Sequence, residues 1–365
     1  MGDQFGEGGD VRILIVTDAW YPQINGVVRT LTAMRDNLRD MGDTVEMLTP
    51  EGFKTLPCPT YPEIRLSLVT ARTLDGFIRA YGPDVIHIAT EGPLGLAARH
   101  WCAGRGVPYT TAFHTRFPEY VAARFRIPIG WTYPGMRWFH KHAQSVMAPT
   151  LTVVESLQAR GFANVRLWGR GVDTDLFKPG RKAKLDVKGP VLLYVGRVAV
   201  EKNIEEFLTL AVSGTKVVVG DGPMLSELKT RFPYAHFAGA KHGTELVGYF
   251  NAADVFVFPS RTDTFGLVML EALACGVPVA AFPVMGPKDV ITEPTVGSLS
   301  ENLADAVRTA AQHINPADCR RFAETRSWRA SAVTFRSYLH PFDPARFGAA
   351  RVGPADAARE PIGSG

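Results

Sequence analysis

The sequence is poor in several features that would announce particular classes of protein. Its 365 residues include only four cysteines, Cys58, Cys102, Cys275 and Cys319. No two of them form a Cys-x-x-Cys or a zinc-type pair, which argues against a metal ribbon and fits inert thiols in a reducing compartment. No apolar run approaches the ~20 residues that a membrane-spanning helix requires. Neither Gly-x-Gly-x-x-Gly nor a Walker A pattern occurs, so dinucleotide and P-loop chemistry are disfavoured. Charge of one sign is also scarce. Lys and Arg number 40 against 36 Asp and Glu, a net +4, too little to specify nucleic acid as a partner. Residues 1–10 have no apolar core of the signal-peptide kind and are expected to be a disordered leader, which makes a cytoplasmic location the expectation.

What is present is ordinary globular material, with 46% hydrophobic and 21% charged residues. The length suits two domains rather than one. Residues 11–17 (VRILIVT) form a β-branched apolar run of the kind a parallel strand buried on both faces shows. A helix with Leu31, Met34, Leu38 and Met41 on one stripe is predicted over 30–41, and strands over 44–48, 84–89 and 107–113. The alternation restarts later, with strands at 191–195, 216–219, 254–258 and 277–281 and helices at 205–211 and 267–274. Alternating strands and helices mean α/β organisation with parallel sheets. The expectation is two doubly wound, Rossmann-like domains facing across a cleft. They would occupy 11–170 and 190–325, joined by a Gly/Pro/Asp/Lys-rich linker over 171–189. A C-terminal helix within 326–342 would pack back toward the first domain, and an Ala/Pro/Gly-rich tail over 343–365 would be disordered.

Ligands of open parallel sheets sit beyond the carboxyl ends of the strands. Just past the strand at 191–195, Arg197 and Lys202 bracket a short loop before a helix. A planar fork and a point charge beside a helix N-terminus make a cradle for a diphosphate, although surface cations near a turn would look alike. Past the strand at 254–258, Asp263 precedes a helix and Glu271 lies one turn inside it. Gly266 lets backbone N–H groups approach a ligand. One carboxylate can grip sugar hydroxyls and the other a ribose diol, against the plainer reading of an N-capping Asp and an ordinary helical Glu. Asp173-Thr174-Asp175 has the spacing of a metal-binding DxD, but it falls in the linker and reads as a turn. With two cations to neutralise a leaving diphosphate, no metal and no other cofactor is expected.

The runs GRVAVEKN, VVVGDGP and FPSRTDTFGLVMLEALACGVPVAA resemble the donor-binding half of retaining glycosyltransferases of family 4, which have the GT-B fold. The resemblance extends over 11–339. That family carries an acidic residue, seven residues and a Glu, and Asp263 and Glu271 stand at this spacing, with Asp in place of the usual first Glu. The resemblance implies that Arg197 and Lys202 contact the diphosphate, Glu271 the ribose and Asp263 the sugar. It further implies that the amides of Phe265, Gly266 and Leu267 meet phosphate and sugar. Residues 18–27 (DAWYPQINGV) are similar to the family's Gly-containing loop, with Gly26 beside the donor, and His114 stands at its active-site His near the transferred sugar. The stretches TEGPLG, FHT and GRGVDT are similar to those of GDP-mannose-dependent α-mannosyltransferases and lipid-glycosylating relatives. The implied activity is metal-independent transfer of a hexose, with retention, from GDP-mannose or a UDP-hexose. The family's attack is thought to come from the leaving-group face, with the departing phosphate taking the acceptor proton.

The acceptor is less legible. Residues 116–142 interleave Arg116, Arg124, Arg126, Arg137 and Lys141 with Phe117, Tyr120, Phe125, Trp131, Tyr133, Trp138 and Phe139. Peripheral docking on the inner face of an anionic membrane is one reading, and a core of aromatics under a solvated basic face is the other. A lipid or glycan acceptor is therefore weighed against a soluble sugar acceptor, a GT-B-fold nucleotide-sugar epimerase and a non-catalytic binding module.

Overall fold

A strand buried on both faces must be apolar at every position, and such runs form the centres of both sheets. The structure, a computed structural model, describes residues 10–23, 25–58, 61–114, 132–187 and 189–347. Residues 1–9, most of the tail (348–365) and the stretch 115–131, with Arg116, Phe117, Tyr120, Arg124, Phe125, Arg126 and Trp131, lie outside the described residues. The chain divides into two units, one running to Gly169 and resuming at Ser331, the other spanning Arg170–Ala330.

In the N-terminal unit, β1 (Arg12–Val16), β2 (Thr44–Leu48), β5 (Val85–Ile88), β6 (Thr110–Ala112), β7 (Ser145–Ala148) and β8 (Val165–Leu167) form one parallel sheet in the order β2-β1-β5-β6-β7-β8. The second predicted strand coincides with β2. The strand predicted over 107–113 contributes only Thr110–Ala112 to the sheet. The first helix runs over Gly26–Asp40 and not from Thr30, because the Asn25 side chain accepts from the N–H groups of Val27 and Val28 and caps it. An antiparallel hairpin of β3 (Thr55–Cys58) and β4 (Tyr61–Ser67), which hydrophobic periodicity does not reveal, follows β2.

From Ser331 on, the last helix, Trp328–Ser337, belongs to this unit. Phe335 is fully buried, with its ring 4.8 Å from that of His87 and 4.9 Å from that of Trp168. The Arg336 Nε donates to both oxygens of Asp43, at 2.9 and 3.2 Å, and both side chains are buried. Farther on, the Phe342 N–H donates to the carbonyl of Asp84.

The second unit has a parallel sheet of β9 (Val191–Val195), β10 (Thr215–Val219), β11 (His236–Gly239), β12 (Val255–Phe258), β13 (Val279–Ala281) and β14 (Gly297–Leu299), in the order β11-β10-β9-β12-β13-β14. The period-2 geometry of a strand divides its side chains between two cores. Leu193, Val217, Phe256 and Val279 lie in one, under the helices Gly243–Ala252, Leu267–Ala274 and Pro316–Glu324. Leu192, Val218, Val257 and Ala280 lie in the other, under Ile204–Thr209, Leu225–Arg231 and Leu303–His313. Each such Val, Leu or Phe side chain stabilises by about 1.5–3 kcal/mol when buried, more than intrinsic strand propensity does, so burial sets the register. Residues 171–189, expected as a linker, are counted in this unit, and Val172 and Phe177 are buried in its core. Asp173-Thr174-Asp175 is a turn, with the Asp173 Oδ1 accepting from the N–H groups of Asp175 and Leu176. Cys102, Cys275 and Cys319 are buried thiols, and burial pushes the latter two up to about 12.

Candidate functional site

The strand order of the second unit reverses direction between β9 and β12, because the chain runs outward from β9 to β10 and β11 and then crosses to the other side. Loops leaving adjacent strands on opposite sides of such a point open a crevice at their carboxyl ends. Arg197 and Lys202 follow β9, and Asp263 follows β12.

Three contacts stitch the two loops together. The Asn203 Nδ2 donates to the carbonyl of Pro259 at 3.2 Å, and the Thr262 Oγ1 to that of Glu201 at 3.2 Å. Most telling, the Lys202 Nζ lies 2.5 Å from the Asp263 Oδ1, with side chains 21% and 18% exposed. The Asp263 carboxylate therefore does not cap the helix Leu267–Ala274. That helix begins at Gly266, with φ +86°, no side-chain cap and no acid in its first turn. A Cβ on Gly266 would stand 2.8 Å from the Phe258 ring and the Met269 methyl, so backbone alone fits there. The N–H groups of Leu267 and its neighbours consequently open a positive helix end that no side-chain cap covers. Glu271, one turn inside this helix, is 7% exposed.

The turn after β9 is held from below. Tyr194 is buried in the strand and donates its hydroxyl to the Arg197 carbonyl at 2.8 Å. Burial, with Asp263 and Glu201 nearby, pushes this phenol well above its ordinary range, so it stays a donor. Periodicity does not single Tyr194 out, although one aromatic in VLLYV is the signal that it left. Gly220, at the end of β10, supports the same turn, since a Cβ there would come within 1.9 Å of the Gly196 carbonyl oxygen. Gly220→Ala is expected to shift the Gly196–Arg197 turn, weaken nucleoside diphosphate binding about tenfold and cost about 1–3 kcal/mol of stability. Titration calorimetry and chemical denaturation measure the two effects.

The equivalent place in the N-terminal unit is built differently. Its sheet reverses between β1 and β5, and the helix Pro93–Ala103 starts there. The Asp18 carboxylate accepts from the N–H groups of Leu94 and Gly95, at 2.8 and 3.2 Å, and from the Thr90 hydroxyl at 3.0 Å. Burial raises the Asp18 pKa in spite of these bonds. An acidic side chain thus already occupies the helix end where an anionic ligand would go. Among the described residues the two helix starts thus differ: a carboxylate covers the one at Pro93, and no side chain caps the one at Gly266.

Gly26 and His114 belong to the N-terminal unit and the other candidates to the second. Gly26 is the first residue of a helix, not a member of the loop before it, and its carbonyl accepts from the Thr30 hydroxyl. His114 follows β6, is buried, and sets its ring 5.7 Å from that of Trp168, edge to face. Close by in sequence is a contact that motif reading passes over. The Glu91 Oε1 lies 3.4 Å from Nε2 of the buried His140, whose Nδ1 shares a 2.8 Å hydrogen bond with the Thr111 hydroxyl. Glu91 stands in TEGPLG, and only the fold brings it to His140.

A cation paired with a carboxylate at strand ends, beside an uncapped helix N-terminus, offers partners for both phosphate and hydroxyl groups. Comparison with known proteins gives the family. Residues 24–176 match the family described as Glycosyltransferase Family 4, and residues 189–314 that described as Glycosyl transferases group 1. The chain is 33% identical to the GDP-mannose-dependent alpha-mannosyltransferase of Mycobacterium tuberculosis (strain CDC 1551 / Oshkosh), over 81% of this chain and 87% of that protein. It is 26% identical to the alpha-monoglucosyldiacylglycerol synthase of Streptococcus pneumoniae (strain ATCC BAA-255 / R6), over 91% and 85%. Among solved structures, sucrose-phosphate synthase from Thermosynechococcus elongatus shares the fold, with a TM-score of 0.72 at 21% identity over 89% of this chain and 97% of that one. The chain belongs to glycosyltransferase family 4, with the GT-B fold, and is a hexosyltransferase.

Proposed function

We propose that this enzyme transfers mannose, or a glucose-like hexose, from GDP-mannose or a UDP-hexose to a hydroxyl of a lipid or glycan acceptor, with retention of anomeric configuration. The observation that carries the reading is the 2.5 Å contact of Lys202 with Asp263 beside the open helix end at Gly266. It brings a phosphate partner and a hydroxyl partner within one ligand's reach. Similarity to the mycobacterial mannosyltransferase supports mannose, and similarity to the diacylglycerol glucosyltransferase supports a lipid acceptor. The latter also supports work at the inner membrane surface. Among the described residues no helix is long and apolar enough to cross a membrane, so docking would be peripheral. Arg137, Trp138 and Lys141 are exposed parts of the basic, aromatic segment that would serve it.

In this reading the bond from the anomeric carbon to the β-phosphate oxygen breaks, and its electron pair stays on the phosphate. Arg197, Lys202 and the amides of Phe265, Gly266 and Leu267 stabilise the charge that develops there. Asp263 holds sugar hydroxyls and Glu271 the ribose diol. The acceptor oxygen bonds to the anomeric carbon, and its proton goes to the departing phosphate oxygen. From the N-terminal unit, we assign Gly26 and His114 to the same reaction. Purified protein incubated with GDP-mannose, or with UDP-glucose, and a glycolipid acceptor in anionic vesicles tests the proposal. Transfer with retained configuration is expected, and no change in the donor without acceptor. Epimerised donor in the absence of acceptor would identify an isomerase instead.

A further inference from the structure

The ion pair between Lys202 and Asp263 joins two residues that the donor must engage separately. One Asp263 oxygen accepts from the Lys202 Nζ at 2.5 Å, while the other, Oδ2, is buried and has no hydrogen-bond partner among the described residues. The carboxylate is therefore fixed on its lysine side and has acceptor capacity to spare on the other. With the donor absent, Lys202 is already neutralised.

We infer that Asp263 makes this site discriminate the sugar nucleotide from the spent nucleoside diphosphate, by penalising a diphosphate that arrives without its sugar. The inference rests on the donor assignment made above. A free diphosphate must share Lys202 with a carboxylate of its own sign, or displace that carboxylate into a partly buried position without a partner. Both outcomes cost free energy, because like charges at close range repel and a desolvated acceptor left unpaired is unfavourable. A sugar nucleotide meets no such penalty. Its terminal phosphate carries less charge, and the sugar hydroxyls donate to Asp263, so the carboxylate exchanges part of its hold on Lys202 for new hydrogen bonds. Once the sugar has left, those donors are gone and Asp263 competes for Lys202 again. The same carboxylate that grips the substrate thus speeds departure of the product, a step that limits turnover in many enzymes.

The helix end at Gly266 makes this competition necessary. With no acid in its first turn and no side-chain cap, it would otherwise hold a diphosphate with or without sugar. The acid that tempers it stands outside the helix, on the lysine.

Calorimetric titration of the full chain with GDP and with UDP, and with GDP-mannose and UDP-glucose, tests the inference. Asp263→Asn is expected to bind the free diphosphate about tenfold more tightly and the sugar nucleotide no more tightly than the unsubstituted protein does. In a transfer assay its inhibition by product should strengthen by the same factor. Asp263→Glu, which keeps the charge, should retain the discrimination, and Asp263→Ser serves as a second uncharged variant should Asp263→Asn fold poorly. Equal or weaker binding of the free diphosphate by the uncharged variants overturns the inference and leaves the donor assignment standing. Failure of the unsubstituted protein to bind any of the four nucleotides overturns the donor assignment, and the inference with it.

Discussion

Replacing Lys202 with alanine is expected to lower the turnover number for sugar transfer by about 10²–10³-fold, the cost of one preorganised donor at a developing oxyanion. Two effects are superposed in this variant. The first, in the proposed reaction, is loss of the cation at the β-phosphate, where negative charge grows as the glycosidic bond breaks. An interaction stronger in the transition state than in the ground state acts on the turnover number more than on KM. The second is release of Asp263, whose Oδ1 loses its 2.5 Å partner. With only 18% of that side chain exposed, the released carboxylate is incompletely rehydrated, which costs stability about 1–3 kcal/mol but does not act on the turnover number. The first effect therefore dominates. Steady-state kinetics and a thermal melt of the same preparation check both parts, with turnover falling and the melting temperature holding within a few degrees. Near-normal turnover would remove Lys202 from the leaving-group site.

Asp43→Ala, in the N-terminal unit, is expected to destabilise the protein by about 3–5 kcal/mol, the usual cost of removing one member of a buried ion pair. The Asp43 side chain is fully buried and Arg336 is 9% exposed, so water offers little replacement for the lost carboxylate, and the guanidinium cannot shed its charge. Arg336→Leu should cost less, because a stranded Asp43 can take up a proton. Burial already raises the Asp43 pKa in the intact protein, outweighing its bonds to Arg336 and to the Val11 N–H. The sign follows from that direction. A carboxyl whose pKa is raised on folding contributes stability below its unfolded value and loses it as pH rises through the folded value. The pair therefore carries a desolvation cost that its bonds do not fully repay. Its worth lies in fixing where the last helix docks, and the double change Asp43→Leu with Arg336→Leu should cost less than Asp43→Ala alone. Urea denaturation midpoints of the three variants test this ordering.

Much of the architecture was legible because a parallel sheet covered on both faces leaves a plain record. Val191–Val195 and Thr44–Leu48 stand where their β-branched runs predict them. Elements that bury little left no such record. β14 has three residues, and the β3–β4 hairpin carries prolines and polar alternation. The first helix starts at Gly26, ahead of the apolar stripe that predicts it, because its start is set by the Asn25 side-chain cap and not by burial. At the candidate site, residue types and spacing pointed to Arg197, Lys202, Asp263 and Glu271, but spacing cannot say what touches what. That Asp263 holds Lys202 and does not cap its own helix depends on β9 lying beside β12. The Tyr194 prop and the Asp18 plug are equally non-local, and each looks like an ordinary core or loop residue in the linear sequence.

The division of the chain has a consequence for its birth. The N-terminal unit takes its last segment from residue 331 onward, while the second unit is one unbroken stretch, Arg170–Ala330. A ribosome adding about 5–20 residues per second delivers the whole second unit before Phe335 and Arg336, which belong to the first. The later-encoded unit is thus the earlier one able to finish folding. The unit that emerges first waits with Asp43 unpaired and a vacancy beside His87 and Trp168. A nonsense mutation just before Arg336 would thus injure the end of the protein made first and spare the one made just before the break.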